Sequence, residues 1–198
     1  MKFKKLFTIF LSLFSVLLSA CQGETNSVLY FNPPSPINNF NPLNQNAILN
    51  IVVRDNRNKP EVSNYVSAGK NFNLYAQPQV AQLFDQVIKQ DLNAKGFHIA
   101  ATPVQANTNL IVNVNHFYAN VEQGSLRHKI TSSIQLNIQI QGVKGQFNKN
   151  IGGTRTVEGA FNAKNEKIQK VLSDTLNDVV RSIYQDQEIP NAINRYLN

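Results

Sequence analysis

The stretch HKITSSIQLNIQIQ, His128 to Gln141, alternates apolar and polar side chains with few interruptions. A period of two belongs to a β-strand, whose successive side chains point to opposite faces. Ile130, Ile134, Leu136, Ile138 and Ile140 share one face. Lys129, Thr131, Ser133, Gln135, Asn137 and Gln139 share the other. A one-residue slip would exchange the two faces, so the pattern specifies register and burial together. The chain must build a sheet with one dry side and one wet or lightly covered side.

The flanking segments supply partners for this strand. LIVNVNHFYANV, Leu110 to Val121, is a long strand whose phase changes midway. Leu110, Val112 and Val114 keep one phase, whereas Phe117, Ala119 and Val121 keep the other, and a bulge near His116 reconciles them. Gln123-Gly124-Ser125 turns the chain into the alternating strand, and a further strand is expected from about Phe147 to Phe161. Upstream, AILNIVVRD (Ala47 to Asp55) is a β-branched-rich strand. EVSNYV and NFNLYAQ flank Ser67 to Lys70 as a hairpin, and FHIAA is a short strand.

Two segments carry the helical period instead. Val80, Leu83, Phe84, Val87, Ile88 and Leu92 form one apolar stripe within Pro78 to Lys95, with Gly96 just past the end. Ile168, Val171, Leu172, Thr175, Leu176, Val179, Ile183 and Tyr184 form another within Asn165 to Gln187, with Asn162 or Asn165 as the expected cap. Pro190 starts a last short helix with Ile193 and Leu197 inward. Two singly striped helices and a sheet with one apolar face pack economically as an α+β two-layer sandwich. Both main helices then cover one face of a mixed, mostly antiparallel sheet, and the short C-terminal helix is an addition. Thr131, Ser133, Gln135, Asn137 and Gln139 are left outward as a possible binding face.

The front of the chain says where such a domain is placed. Residues 1–20, MKFKKLFTIFLSLFSVLLSA, have a basic start, an apolar run from Leu6 to Leu18 and small residues at the end, the layout of a secretory leader. The run is shorter than the ~20 residues of a membrane-spanning helix. The only cysteine of the chain, Cys21, follows directly. Leu18-Ser19-Ala20-Cys21 resembles the lipobox of bacterial lipoproteins. The resemblance implies cleavage between Ala20 and Cys21, lipid (palmitate) attachment at Cys21, and a membrane contact made through the anchor. Gln22 in place of aspartate implies the periplasmic face of the outer membrane. One acyl chain holds only marginally, and two or three hold stably. Residues 21–46 hold Pro33, Pro34, Pro36 and Pro42 among asparagines, and are expected to be a lipidated linker reaching roughly 75 Å at ~3.1 Å per residue. Val28, Leu29, Tyr30 and Phe31 within it are expected to pack onto the domain edge. Residues 47–198 form the single periplasmic domain.

LIVNVNHFYANVEQGSLRHKI, TRTVEGAFNAKN and the closing helix resemble the YajG-type lipoproteins of Gram-negative bacteria. That resemblance implies an outer-membrane lipoprotein of uncharacterised function and brings no catalytic residues. The order of strands and helices is also similar in fold to the lipopolysaccharide-assembly lipoprotein.

The residues themselves argue for binding over catalysis. The formal charge of +7 falls to +4 without Lys2, Lys4 and Lys5, and no basic run follows, so nucleic acid is not an expected partner. His98, His116 and His128 show no metal-ligand spacing, and no cofactor or metal is expected. Gly152-Gly153-Thr154 reads as a turn. Asp174 and Asp178 read as solvated carboxylates on a helix face, and Glu122 and Glu158 lie on different strands that could approach. The expectation is a non-catalytic binding or adaptor domain with an envelope protein or glycan as partner. The alternatives are an assembly role through oligomerising edge strands, which lack obvious charged gatekeepers, and an envelope enzyme.

Overall fold

The computed structural model describes residues 25–197. Ala20 and Cys21, and with them the leader and the anchor, lie outside the described residues. The elements in order are β1 (Thr25–Tyr30), β2 (Ile48–Asp55), β3 (Ser63–Ser67), β4 (Lys70–Gln77), α1 (Val80–Ala94), β5 (His98–Ile99), β6 (Thr108–Gln123), β7 (Arg127–Gly142), β8 (Gly145–Ala160), α2 (Asn165–Gln185) and α3 (Glu188–Tyr196). Short 3-10 turns at Pro42–Asn46 and Pro103–Gln105 punctuate the connections.

All eight strands join one mixed sheet, so the class is α+β. Its spine is β6. One side of β6 pairs antiparallel with β7 along its length, and β7 pairs with β8. The other side is shared. The first half of β6 pairs in parallel with β2, and the second half pairs with β3 at Ser63–Ala119 and Asn64–Asn120. Thus β2 and β3 run along β6 as one rail with a gap in it. The register shift expected near His116 falls between Val114 and His116, opposite that gap. It brings Val114 and Phe117 both into the core, as the change of phase required.

The inner residues of β7 are buried with Leu110, Val112, Phe117 and Ala119 of β6. Val80, Leu83, Phe84 and Val87 of α1, and Ile168, Val171, Leu172, Leu176 and Val179 of α2, enter the same core. Ser132, the one polar residue in the isoleucine stripe, is fully buried. Its hydroxyl bonds Thr175 Oγ1 and donates to the Val171 carbonyl at 3.3 Å, fixing α2 on the sheet. A buried hydroxyl without such partners would be costly.

Several expectations need correction. Residues 25–46, within the expected linker, are not a free linker. Thr25–Tyr30 adds a parallel strand beside β4, and Leu29 and Phe31 are buried. Tyr184 Oη donates to the Pro34 carbonyl at 2.8 Å, and Asn44 Nδ2 donates to the Lys95 carbonyl at 2.7 Å. The prolines stop regular pairing but do not stop the segment from strapping the helices. Neither Asn162 nor Asn165 caps α2. Lys164 occupies that position, and Asn165 Oδ1 accepts from Tyr65 Oη at 2.6 Å. Gly152 and Gly153 lie in mid-strand on β8, not in a turn. A Cβ at Gly152 would stand 2.7 Å from Ile134 O, and one at Gly153 would press Val179 at 3.1 Å. Finally, edge strand β8 does carry charge. Lys149 pairs with Asp186 and with Glu188 at 3.1 Å, and Arg155 pairs with Asp178 at 2.6 Å. Such inward charges are a known device against edge-to-edge pairing.

Candidate functional site

Because side chains alternate along every strand, the residues facing away from the helices line up in rows across the sheet. Asn73, Asn64, Asn120, Thr131 and Thr156 lie opposite one another across β4, β3, β6, β7 and β8. Asn64 Nδ2 donates to Asn73 Oδ1 at 2.9 Å, and the Thr131 and Thr156 hydroxyls are 3.2 Å apart. A second row runs Arg54, Asn113, Asn137 and Asn150. Asn137 Nδ2 donates to Asn150 at 2.7 Å and to Asn148 at 2.6 Å, and Gln139 Nε2 donates to Asn137 Oδ1 at 3.0 Å. A third row runs Asn50, Asn109, Gln141 and Gln146, with Asn50 donating to Asn109 at 2.8 Å.

The five residues expected to form a face are therefore brought together by β7. Thr131 and Ser133 meet the hydroxyls of Thr156 and Thr154, and Asn137 and Gln139 join the amide row. Gln135 is exposed, and its β8 neighbour is Gly152, which leaves a bare spot beside the amide. Each primary amide offers two N–H donors and two acceptor sites. The lateral bonds occupy only part of that capacity. What remains is a rigid lattice of neutral donors and acceptors.

At the gap between β2 and β3, the guanidinium of Arg57 fills the missing pairing. It forks onto Asp55, with both contacts at 2.8 Å, and donates to the Phe117 and Glu61 carbonyls at 3.3 Å. The Phe117 carbonyl would otherwise lose its ladder partner where the rail breaks. Arg57, Asn58, Lys59, Glu61, Asn115, His116 and Tyr118 line a cavity of about 340 Å³ around it. Burial works against the Asp55 charge, but the Arg57 hydrogen bonds and charge outweigh it and hold that carboxyl below its usual range. Burial, then the charge of Arg57, holds His116 below its ordinary value, so its imidazole is neutral at pH 7. Burial, then Glu61, raises Tyr118, whose phenol keeps its proton. Sequence reasoning missed Arg57, because its partners lie across the sheet and only the Asn56–Pro60 turn was legible.

The remaining candidates do not converge. Glu122 and Glu158 occupy one row, but Lys129 stands between them. His98, His116 and His128 lie apart, and His128 is a buried residue bound through Nδ1 to the Phe161 carbonyl at 2.7 Å. Asp174 and Asp178 are not merely solvated, since Lys170 and Arg155 pair with them. Among the described residues, no group of three or more metal-ligating side chains assembles. No described helix is long and apolar enough to cross a membrane.

Fold and face together define an α+β sheet domain that exposes an organised amide-and-hydroxyl surface. The chain belongs to a family described as uncharacterized lipoproteins, whose profile matches residues 33–194. It is 25% identical to the uncharacterized lipoprotein YajG of Escherichia coli, over 96% of this chain and 97% of that protein. Among solved structures, a protein from Xanthomonas campestris shares the fold with a TM-score of 0.50 at 15% identity, covering 83% of this chain and 96% of the other. A Helicobacter pylori protein described as a homolog of a neuraminyllactose-binding hemagglutinin has a TM-score of 0.53 at 13% identity, covering 85% and 97%.

Proposed function

We propose that this protein is a lipid-tethered, non-catalytic binding domain whose outer sheet face holds a neutral, hydroxyl-rich ligand, a glycan of the cell envelope. We read its architecture as two layers, with the helices closing the inner face so that the outer face stays free. The membrane we assign is the outer one, on its periplasmic side, with Cys21 as the palmitate-bearing anchor. The observation that carries the reading is the cross-strand lattice of Asn113, Asn137, Asn148, Asn150, Thr131 and Thr156. Sugar hydroxyls pair with neutral amides at little desolvation cost, whereas a charged ligand would find no compensating cluster here. Tyr118, beside Ser133 on this face, offers a ring to a sugar.

The test is co-sedimentation of the purified lipoprotein with peptidoglycan sacculi, and its retention on immobilised envelope oligosaccharides. Asn137→Ala and Gln135→Ala should each weaken retention about tenfold, the worth of ~1–2 kcal/mol of lost hydrogen bonding. Retention unchanged by both substitutions sinks the reading. Edge strand β8 pairs with β7 alone among the described strands, which keeps a second reading as an assembly factor even though the inward charges of Lys149 and Arg155 oppose edge pairing. A monomer at high concentration in light scattering would remove it.

A further inference from the structure

The end of the sheet from which the lipid anchor departs combines exposed apolar and exposed basic side chains. β1 begins at Thr25, and Thr25 lies opposite Phe72 near the start of β4. Cys21 stands four positions earlier in the sequence. At most ~3.6 Å per residue, those positions reach about 14 Å. The β3–β4 turn, the β6–β7 turn and the β8–α2 connection converge at this same end. Gln123 Nε2 donates to the Val66 carbonyl at 2.9 Å, Gln123 Oε1 accepts from Ala163 N at 3.0 Å, and Tyr65 reaches Asn165.

Two large apolar side chains stand out from these tips. Leu126 is 78% exposed and Phe161 is 74% exposed. They are neighbours, since Phe161 N donates to the Leu126 carbonyl at 2.9 Å. Phe161 has φ +60, a left-handed conformation strained for a bulky residue. His128 holds the Phe161 carbonyl from the other side. The backbone is thus locked into an unfavourable shape that projects a ring into solvent. Around the tips lie Lys70, Arg127, Lys164 and Lys167, all exposed, with Glu166 as the one acidic residue among the described tip residues, and Glu24 directly precedes Thr25 in the sequence. One row inward, Glu122, Lys129 and Glu158 follow.

We propose that this end is a membrane-resting surface: Leu126 and Phe161 insert at the level of the lipid headgroups, and Lys70, Arg127, Lys164 and Lys167 contact anionic headgroups. The occupant is the bilayer that holds Cys21, because so short a connection keeps this end beside it. The inference rests on the lipid anchor of the reading above. Each basic residue near an anionic surface adds attraction, and two inserted apolar side chains add to that. Either set is weak alone, and the anchor makes their binding intramolecular.

The chain contains no tryptophan, so a single introduced one reports alone. The full lipoprotein carrying Leu126→Trp is reconstituted into vesicles of phosphatidylcholine with 30% phosphatidylglycerol, containing brominated lipid. Val104→Trp, at a site 95% exposed near the opposite end of β6, is the comparison. Quenching of Leu126→Trp at least threefold stronger than that of Val104→Trp is expected. Replacing the four basic residues by glutamine should reduce quenching in these vesicles and leave it unchanged in pure phosphatidylcholine. Equal quenching at the two positions overturns the proposal. Quenching indifferent to the glutamine substitutions overturns its electrostatic part. Incorporation of labelled palmitate is measured on the same samples, so a missing anchor is told apart from an upright, unrested domain.

Discussion

The two faces of β7 share one backbone and obey opposite rules. Inward, Ile130, Ile134, Leu136, Ile138 and Ile140 are buried against α2 and its neighbours, and the single hydroxyl among them is fully bonded. Outward, Thr131, Ser133, Gln135, Asn137 and Gln139 keep part of their hydrogen-bonding capacity for solvent or a ligand. The inner face can change only at the expense of stability. The outer face can change freely unless something binds it. Stability and retention should therefore respond to different residues on the same strand.

The sharpest test of the inner rule lies where it tolerates charge. Lys95, just past α1, donates to Asp91 at 2.8 Å and to the Ile183 and Asp186 carbonyls at 3.4 and 3.3 Å, capping the end of α2. Both side chains are about 5% exposed. Lys95→Met leaves Asp91 and those carbonyls unpaired and should cost about 3–5 kcal/mol in urea denaturation. Ile138→Ala should cost roughly 3 kcal/mol by the same measurement and leave the outer face intact.

Acidity separates the same pair from the surface. Burial, more than its neighbours, raises Asp91 to about 6 from 3.8, Lys95 opposing the shift and Asp186 adding to it. The folded protein then holds a proton that the unfolded chain releases. This contribution to stability is fully present below pH 3.8 and is lost as pH rises through about 6. It amounts to about 2–3 kcal/mol. Asp91→Asn should flatten the stability profile across that window. The smallest effect belongs outside: Gln135→Ala should shift stability by less than ~0.5 kcal/mol while weakening glycan retention. A larger loss of stability there would erase the contrast between the faces.

The same contrast governs what was legible. Alternation in β7 and the change of phase in β6 disclosed strands, bulge and faces, because each is a local pattern enforced by burial. The helical stripes were equally plain. The strap from Phe31 to Asn46 was not, since proline and asparagine mark the lack of regular pairing and say nothing of tertiary contacts. Nor was the Lys95 clamp, whose carbonyl partners lie far along the chain. The lattice was half visible. β7 displayed its own polar residues, but Asn113, Asn148 and Asn150 became neighbours only once registers were known. Arg57 reads as an ordinary turn residue until the break between β2 and β3 places it against the Phe117 carbonyl.

The pairing of Thr25 with Phe72 also dictates an order of assembly. Among the described strands β1 pairs with β4 alone, so it has no sheet to join until the β3–β4 hairpin is in place. The first described strand of the chain is therefore one of the last to dock, and its docking closes a loop of roughly fifty residues between Thr25 and Phe72.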